Sequence, residues 1–148
     1  MSFAIGIENV KHGVNLGTLL RSAYNLGASL VFTVGRRYER QHGDTVKAYR
    51  HIPLLHFIDW DDYKRHAPFD WIPIAVEVSL NAVDLRDLVH PKNASYLLGP
   101  EDGSLSREAM ALAKIIVTIP SRLCLNVSVA GSLVMYDRCL KEKNKRTN

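Results

Sequence analysis

Cysteine is almost missing from this chain: Cys124 and Cys139 are the only two in 148 residues. Neither belongs to a cluster with metal-ligand spacing, so no structural zinc, no other metal and no disulfide framework is expected. Long apolar runs are missing too. Nothing approaches the roughly 20 residues of a membrane-spanning helix. The start, MSFAIGIENV, has no basic region, long apolar core or cleavage site of a secretory signal. A reduced, cytoplasmic protein is the expectation. The common nucleotide loops are absent as well, with no GxGxxG after the first apolar run and no GxxxxGK[ST] anywhere. This argues against dinucleotide-dependent oxidoreductases, P-loop enzymes and the common Rossmann-type methyltransferase. Without HExxH or GxSxG, zinc hydrolysis and serine acyl transfer have no support.

What is present is ordinary in amount and uneven in placement. Apolar residues make up 47% and charged ones 23%, the composition of a globular chain with one core. A single domain over residues 1–148 is expected, with 141–148 a frayed basic tail. Net charge is +4, but residues 36–51 carry +3, residues 137–148 another +3, and the rest −2. Two basic segments on a mildly acidic body suit a polyanion partner. The tail reads more simply as a solubilising surface. In the first segment Tyr38, His42, Tyr49 and His51 alternate with Arg36, Arg37, Arg40, Lys47 and Arg50. Cations among stackable rings are what unpaired RNA needs, so these five cations are the candidate RNA contacts.

Apolar runs at 3–7, 30–34, 71–78, 96–98 and 115–119 read as five strands. Helical patterns fall between them: from Asn15 as N-cap to Gly27 as terminator, over 59–66, in part of 80–90, and from Ser106 to Ala113 or Lys114. Thr18, Arg21, Ser22 and Asn25 form the polar side of the first helix. The alternation predicts an α/β protein with a parallel sheet. Ligands of such sheets sit at the carboxyl ends of strands. Those ends carry Asn15, the basic loop, the GPEDG turn at 99–103 and the IPSRLCLN stretch at 119–126. Asn126 is placed to cap a last helix in which Val127, Val129, Ala130, Leu133, Val134 and Met135 leave no polar face. That helix should be buried. Its small residues, Ser128, Ala130, Gly131 and Ser132, admit a ligand, another backbone or a second subunit, and a plain core helix fits as well.

Three segments, NLGTLLRSAYNLGA, LLGPEDGSLS and IPSRLCLNVSVAGSLVMYDR, resemble in order and spacing the three motifs of the SPOUT superfamily of RNA methyltransferases. The branch they look most like is the TrmH-type tRNA/rRNA ribose 2′-O-methyltransferases, and the resemblance runs from residue 3 to about 138. It implies an α/β fold with a deep trefoil knot, its C-terminal segment threaded to form the S-adenosylmethionine site, and a homodimer acting on RNA. It places Asn15, Arg21, Glu101 and Asn126 at catalytic positions. It places Leu98, Gly99, Pro100, Ile119, Pro120, Cys124, Leu125 and Asn126 around the cofactor. Cys124 stands where the family commonly has serine, and a thiol is the weaker hydrogen-bond partner. Without the resemblance, Glu101 reads as a turn acid and Asn126 as a simple cap.

The motif-one arginine is proposed as the base in this family, which is awkward for a guanidinium that stays protonated. Phosphate binding and stabilisation of negative charge on the ribose oxygen are the alternative for Arg21. A base-methylating SPOUT enzyme and a non-catalytic RNA-binding module are the other readings. The NxxxxxR spacing of Asn15 and Arg21 favours the ribose-methylating branch.

Overall fold

The structure, a computed structural model, describes residues 2–36 and 47–147. Arg37 and Arg40, two of the candidate RNA contacts, lie outside the described residues, as do Tyr38 and His42. Seven strands form one parallel sheet: β1 (Ser2–Glu8), β2 (Leu30–Val34), β3 (Leu54–Phe57), β4 (Ile72–Val76), β5 (Val83–Asp84), β6 (Asn93–Leu98) and β7 (Ile115–Thr118). Their order across the sheet is β3-β2-β1-β6-β4-β7-β5. The parallel α/β sheet read from the sequence is the observed one, with two edge strands added. β5 has only two residues, too few to show an alternation. Where a partial helix was expected over 80–90, the chain makes β5 and a short 3-10 turn, Leu85–Asp87.

Helices cover both faces, as a parallel sheet requires, because its strands have no face to offer water. On one side α1 (Gly13–Asn25) and α4 (Val127–Thr147) bury Leu16, Leu19, Leu20, Val134 and Met135 against Ile5, Ile7, Tyr96 and Leu98. On the other side α2 (Trp60–His66) and α3 (Arg107–Leu112) enclose Phe32, Phe57, Trp60, Tyr63 and Leu97. Each large side chain so buried contributes roughly 1.5–3 kcal/mol. Ser106 caps α3 by accepting from the Ala109 N–H, and Gly27, at φ 78°, ends α1, both as expected.

Gly131 lets α4 lie on the sheet. A Cβ there would stand 2.6 Å from Leu19 Cδ1 and 3.0 Å from both Ile5 Cδ1 and Leu98 Cδ1. Alanine at 131 would therefore require the Leu19 methyl to move aside. The helix is not buried all round, however. Val129, Leu133, Tyr136 and Leu140 recur at helical spacing and are 46, 41, 54 and 44% exposed, an apolar stripe on the outside of the chain.

α4 continues through Thr147. Arg138 is fully buried. It donates to the Pro91 and Lys92 carbonyls and to the Tyr96 hydroxyl, and its guanidinium carbon lies 4.9 Å from the centre of the Phe3 ring. Its Nε stands 2.7 Å from Glu142 Oε1, close but out of line for a hydrogen bond. His90 joins the Tyr96 hydroxyl to Asp137, at 2.5 and 2.8 Å. Burial holds His90 below its usual pKa against the pull of Asp137. Asp137, a carboxylate, accepts from the His90 Nε2–H, and the neutral ring that burial favours accepts at Nδ1 from the Tyr96 hydroxyl. Lys141 donates to the Leu85 and Leu88 carbonyls. Two cations of the C-terminal basic segment are thus engaged by the fold, Arg138 in its interior and Lys141, half-buried, on carbonyls and on Asp137.

Candidate functional site

The strand order reverses between β1 and β6, which lie side by side with Ile7 opposite Leu98. Their loops consequently emerge together: the turn into α1 from β1, and the GPEDG turn from β6. Carboxylates hold this junction. Glu101 accepts from the Lys11 and His12 backbone N–H groups and from Asn15 Nδ2, at 3.0, 3.0 and 2.9 Å. Lys11 pairs with the neighbouring Asp102. Behind the turn, Glu8 accepts from the Ser106 N–H at 2.8 Å and Glu77 from the Leu105 N–H at 2.9 Å. A Cβ at Gly99 would stand 2.9 Å from the Leu105 nitrogen, so the turn folds back on itself at that glycine.

Asn15 is not the cap of α1, which starts two residues earlier with His12 at the cap position. Being inside the first turn frees its amide. Its Nδ2 donates to Glu101 while its Oδ1 accepts from Asn126 Nδ2 at 3.0 Å. Asn126 does cap α4, its Oδ1 accepting from the Ser128 N–H and Oγ and the Val129 N–H at 2.9, 2.6 and 3.4 Å. One hydrogen-bond chain therefore runs Glu101–Asn15–Asn126–Ser128 and joins segments that are distant in sequence. The Glu101 carboxyl is held below its ordinary value: partial burial works to raise it, and the donors from Asn15, Lys11 and His12 outweigh that.

Beside this chain lies a cleft of about 130 Å³ at the carboxyl ends of β4, β6 and β7. Leu98, Gly99, Pro100, Ile119, Cys124 and Leu125, six of the residues expected around a cofactor, line it together with Glu101. Pro120 and Asn126 are not among its lining residues. Val76, Glu77, Val78, Thr118, Ser121, Val127 and Ala130 also line it, and sequence reading missed them. The position of Glu77 just after an apolar strand was the one available signal. Apolar walls, backbone polar groups and a tight glycine suit a ligand with a flat base and a polar tail. Two carboxylates, Glu77 and Glu101, suit positive charge on it.

Arg21 does not join the cleft. It is exposed on α1, on a stripe with Val14, Thr18 and Asn25, and no hydrogen bond or ion pair to its guanidinium occurs among the described residues. Arg36, Lys47 and Arg50 are exposed as well. Among the described residues no group of three or more His, Cys, Asp or Glu could hold a metal ion, and no helix is long and apolar enough to cross a membrane.

The model of the SpoU rRNA Methylase family matches residues 2–136. A tRNA (guanosine(18)-2′-O)-methyltransferase of Escherichia coli (strain K12) is 35% identical over 74 residues, which cover 48% of this chain and 32% of that protein. The matched stretch thus spans about a third of the curated relative. Among solved structures, the SpoU methyltransferase AviRb from Streptomyces viridochromogenes superposes with a TM-score of 0.85 at 19% identity, over 99% of this chain and 62% of that one. An AdoMet-bound rRNA methyltransferase from Sinorhizobium meliloti gives 0.83 at 21%, over 95% and 56%. At these identities the likeness is one of fold.

Proposed function

The chain belongs to the SpoU rRNA Methylase family, and on that premise we propose that it transfers a methyl group from S-adenosylmethionine to a ribose 2′-hydroxyl of tRNA or rRNA. The observation that carries this reading is the Glu101–Asn15–Asn126 hydrogen-bond chain along the rim of the cleft. It makes one unit of residues from three separated motifs. The 2′-O activity in the name of the E. coli relative favours ribose over a base as acceptor.

Bound in the cleft, S-adenosylmethionine supplies an electrophilic methyl carbon on a positively charged sulfur. The chain's own residues align and neutralise. Leu98, Ile119, Leu125 and Val127 give apolar contact, and the backbone around Gly99 comes close because no side chain intervenes. Glu77 and Glu101 balance the positive charge. Asn15 and Asn126 fix the rim against which the ribose is aligned for in-line transfer, where orientation is worth several kcal/mol. Transfer to the aligned ribose oxygen would leave the electron pair of the broken carbon–sulfur bond on sulfur and release the hydroxyl proton to water or a phosphate oxygen. Arg21 binds the adjacent phosphate and stabilises negative charge on that oxygen, a role its permanent charge allows.

Arg21 lies outside its own chain's cleft, which supports a shared site. The exposed stripe of Val129, Leu133, Tyr136 and Leu140 on α4 is too apolar to be left in water. Packed against a second copy, it would carry the neighbouring Arg21 stripe of α1 toward the partner's cleft. The threaded knot belongs to the same proposal, supported by the packing of α4, after β7, back on α1. So does the cytoplasm, where two free thiols are at home.

The test is direct. Purified chain is incubated with S-adenosylmethionine and with unmodified tRNA and rRNA, and the digested nucleosides are analysed by mass spectrometry. A 2′-O-methylnucleoside that depends on the chain is expected. Methylated bases would move it to another branch, and no calorimetric heat with the cofactor or its demethylated product, in folded protein, would sink the reading.

A further inference from the structure

From Glu8 to Asp59 the sequence has only two acidic residues between them, Glu39 and Asp44, against seven Lys and Arg. Within that span the structure brings two rings together that are far apart in sequence. Tyr24 on α1 and His51, just after the 3-10 turn Ala48–Arg50, lie with ring centres 5.2 Å apart and planes tilted by 31°. The pairing is fixed from beneath, because Ala48 is buried and seats the turn against α1. The rings themselves are open: Tyr24 is 49% exposed and His51 is exposed too. Among the described residues neither the Tyr24 hydroxyl nor the His51 ring nitrogens have a hydrogen-bond partner.

Cations frame the pair. Arg21 precedes Tyr24 by three residues, about 4.5 Å along the helix axis, and Lys47 and Arg50 flank His51 on the turn, all three exposed. No Asp or Glu occurs in α1 or in residues 47–58. The aromatic pair sits on the flank of α1 toward the 3-10 turn, while Ser22 and Asn15 reach α4 from the opposite flank. It thus lies clear of the apolar stripe assigned to the dimer. A rigid, open ring pair in a field of one sign, with free polar edges, matches an unpaired nucleobase with its phosphate. A protein or lipid partner calls for a continuous apolar surface, whereas Arg21, Lys47 and Arg50, the exposed residues that frame the pair, are cations.

We infer that Tyr24 and His51 form a stacking platform for an unpaired RNA base, the neighbour of the phosphate that Arg21 holds. The inference rests on the proposed RNA substrate and adds a subsite to it. Its consequence is a requirement for single-stranded RNA beside the target nucleotide, since a paired base has no free face.

The experiment uses the full chain and a single-stranded RNA 12-mer carrying 2-aminopurine, whose fluorescence falls on stacking. Wild-type protein is expected to bind it with quenching, and Tyr24→Phe to do the same. Tyr24→Ala and His51→Ala should lose the quench and weaken binding at least about fivefold, as the loss of one base–aromatic stack demands. Affinity for S-adenosylmethionine should stay unchanged, which excludes misfolding as the cause. Wild-type binding without quenching, or equal binding and quenching by Tyr24→Ala, overturns the platform and leaves the methyltransferase reading standing. No RNA binding by the wild-type chain overturns both.

Discussion

Asn126 Nδ2 donates to Asn15 Oδ1 at 3.0 Å across 111 positions of sequence. Both amides are fully engaged, Asn15 by Glu101 on its other side and Asn126 by the first turn of α4. Each asparagine therefore fixes the orientation of the other, and their loss should not be additive. Asn15→Ala and Asn126→Ala are each expected to lower methylation about a hundredfold, the cost of an ångström-scale misplacement. The double variant should be little worse than the poorer single one. Steady-state kinetics of the three proteins decide this, and fully multiplicative losses would mean that the residues act independently.

The donors around Glu101 bind its charged form, so its folded pKa lies below the ordinary 4.5. A depressed carboxyl stabilises the fold fully above its unfolded pKa and ceases to do so as pH falls through the folded value. Glu101→Gln should thus cost about 1 kcal/mol at neutral pH, a figure that allows for its partial exposure. The gap from wild type should close well below pH 4.5. Urea midpoints at about pH 7 and about pH 3.5 give the answer, and an equal gap at both would assign Glu101 another role.

Cys124 is exposed on the cleft wall, and no hydrogen bond to its thiol occurs among the described residues. If it fills the place of a serine without chemistry of its own, Cys124→Ser should keep methylation within about twofold, and Cys124→Ala should cost little more. A large loss in the serine variant would show that the thiol itself is needed.

Arg21 and Asn126 should come to each proposed site from different chains. Arg21→Ala and Asn126→Ala are then each nearly inactive as homodimers, while a heterodimer purified with two tags holds one intact site. It should reach about half the wild-type rate per dimer if the sites act independently. A heterodimer no better than its parents would put both residues on one chain. A monomer by light scattering would remove the premise.

The sequence by itself determined the class of the fold and the places where chemistry gathers. Apolar runs alternating with helical periods specify a parallel α/β sheet, because strands buried on both faces must be apolar throughout. Turn chemistry at Gly27, Ser106 and Asn126 is local, a matter of one residue and the next turn, and each held in the structure. What only the tertiary structure decided are the relations between distant segments. Asn15 looked like a cap, but α1 begins before it, and the amide turns instead to Glu101 and Asn126. β3 and β5 are short edge strands, defined by the neighbour they pair with rather than by a pattern of their own. Arg138 and Lys141 counted as surface charge in the sequence, since nothing local says that Pro91, Lys92, Leu85 and Leu88 bring carbonyls to meet them. The charge of a side chain is written in the sequence; whether water or a buried carbonyl receives it depends on the packing of elements some 50 residues away.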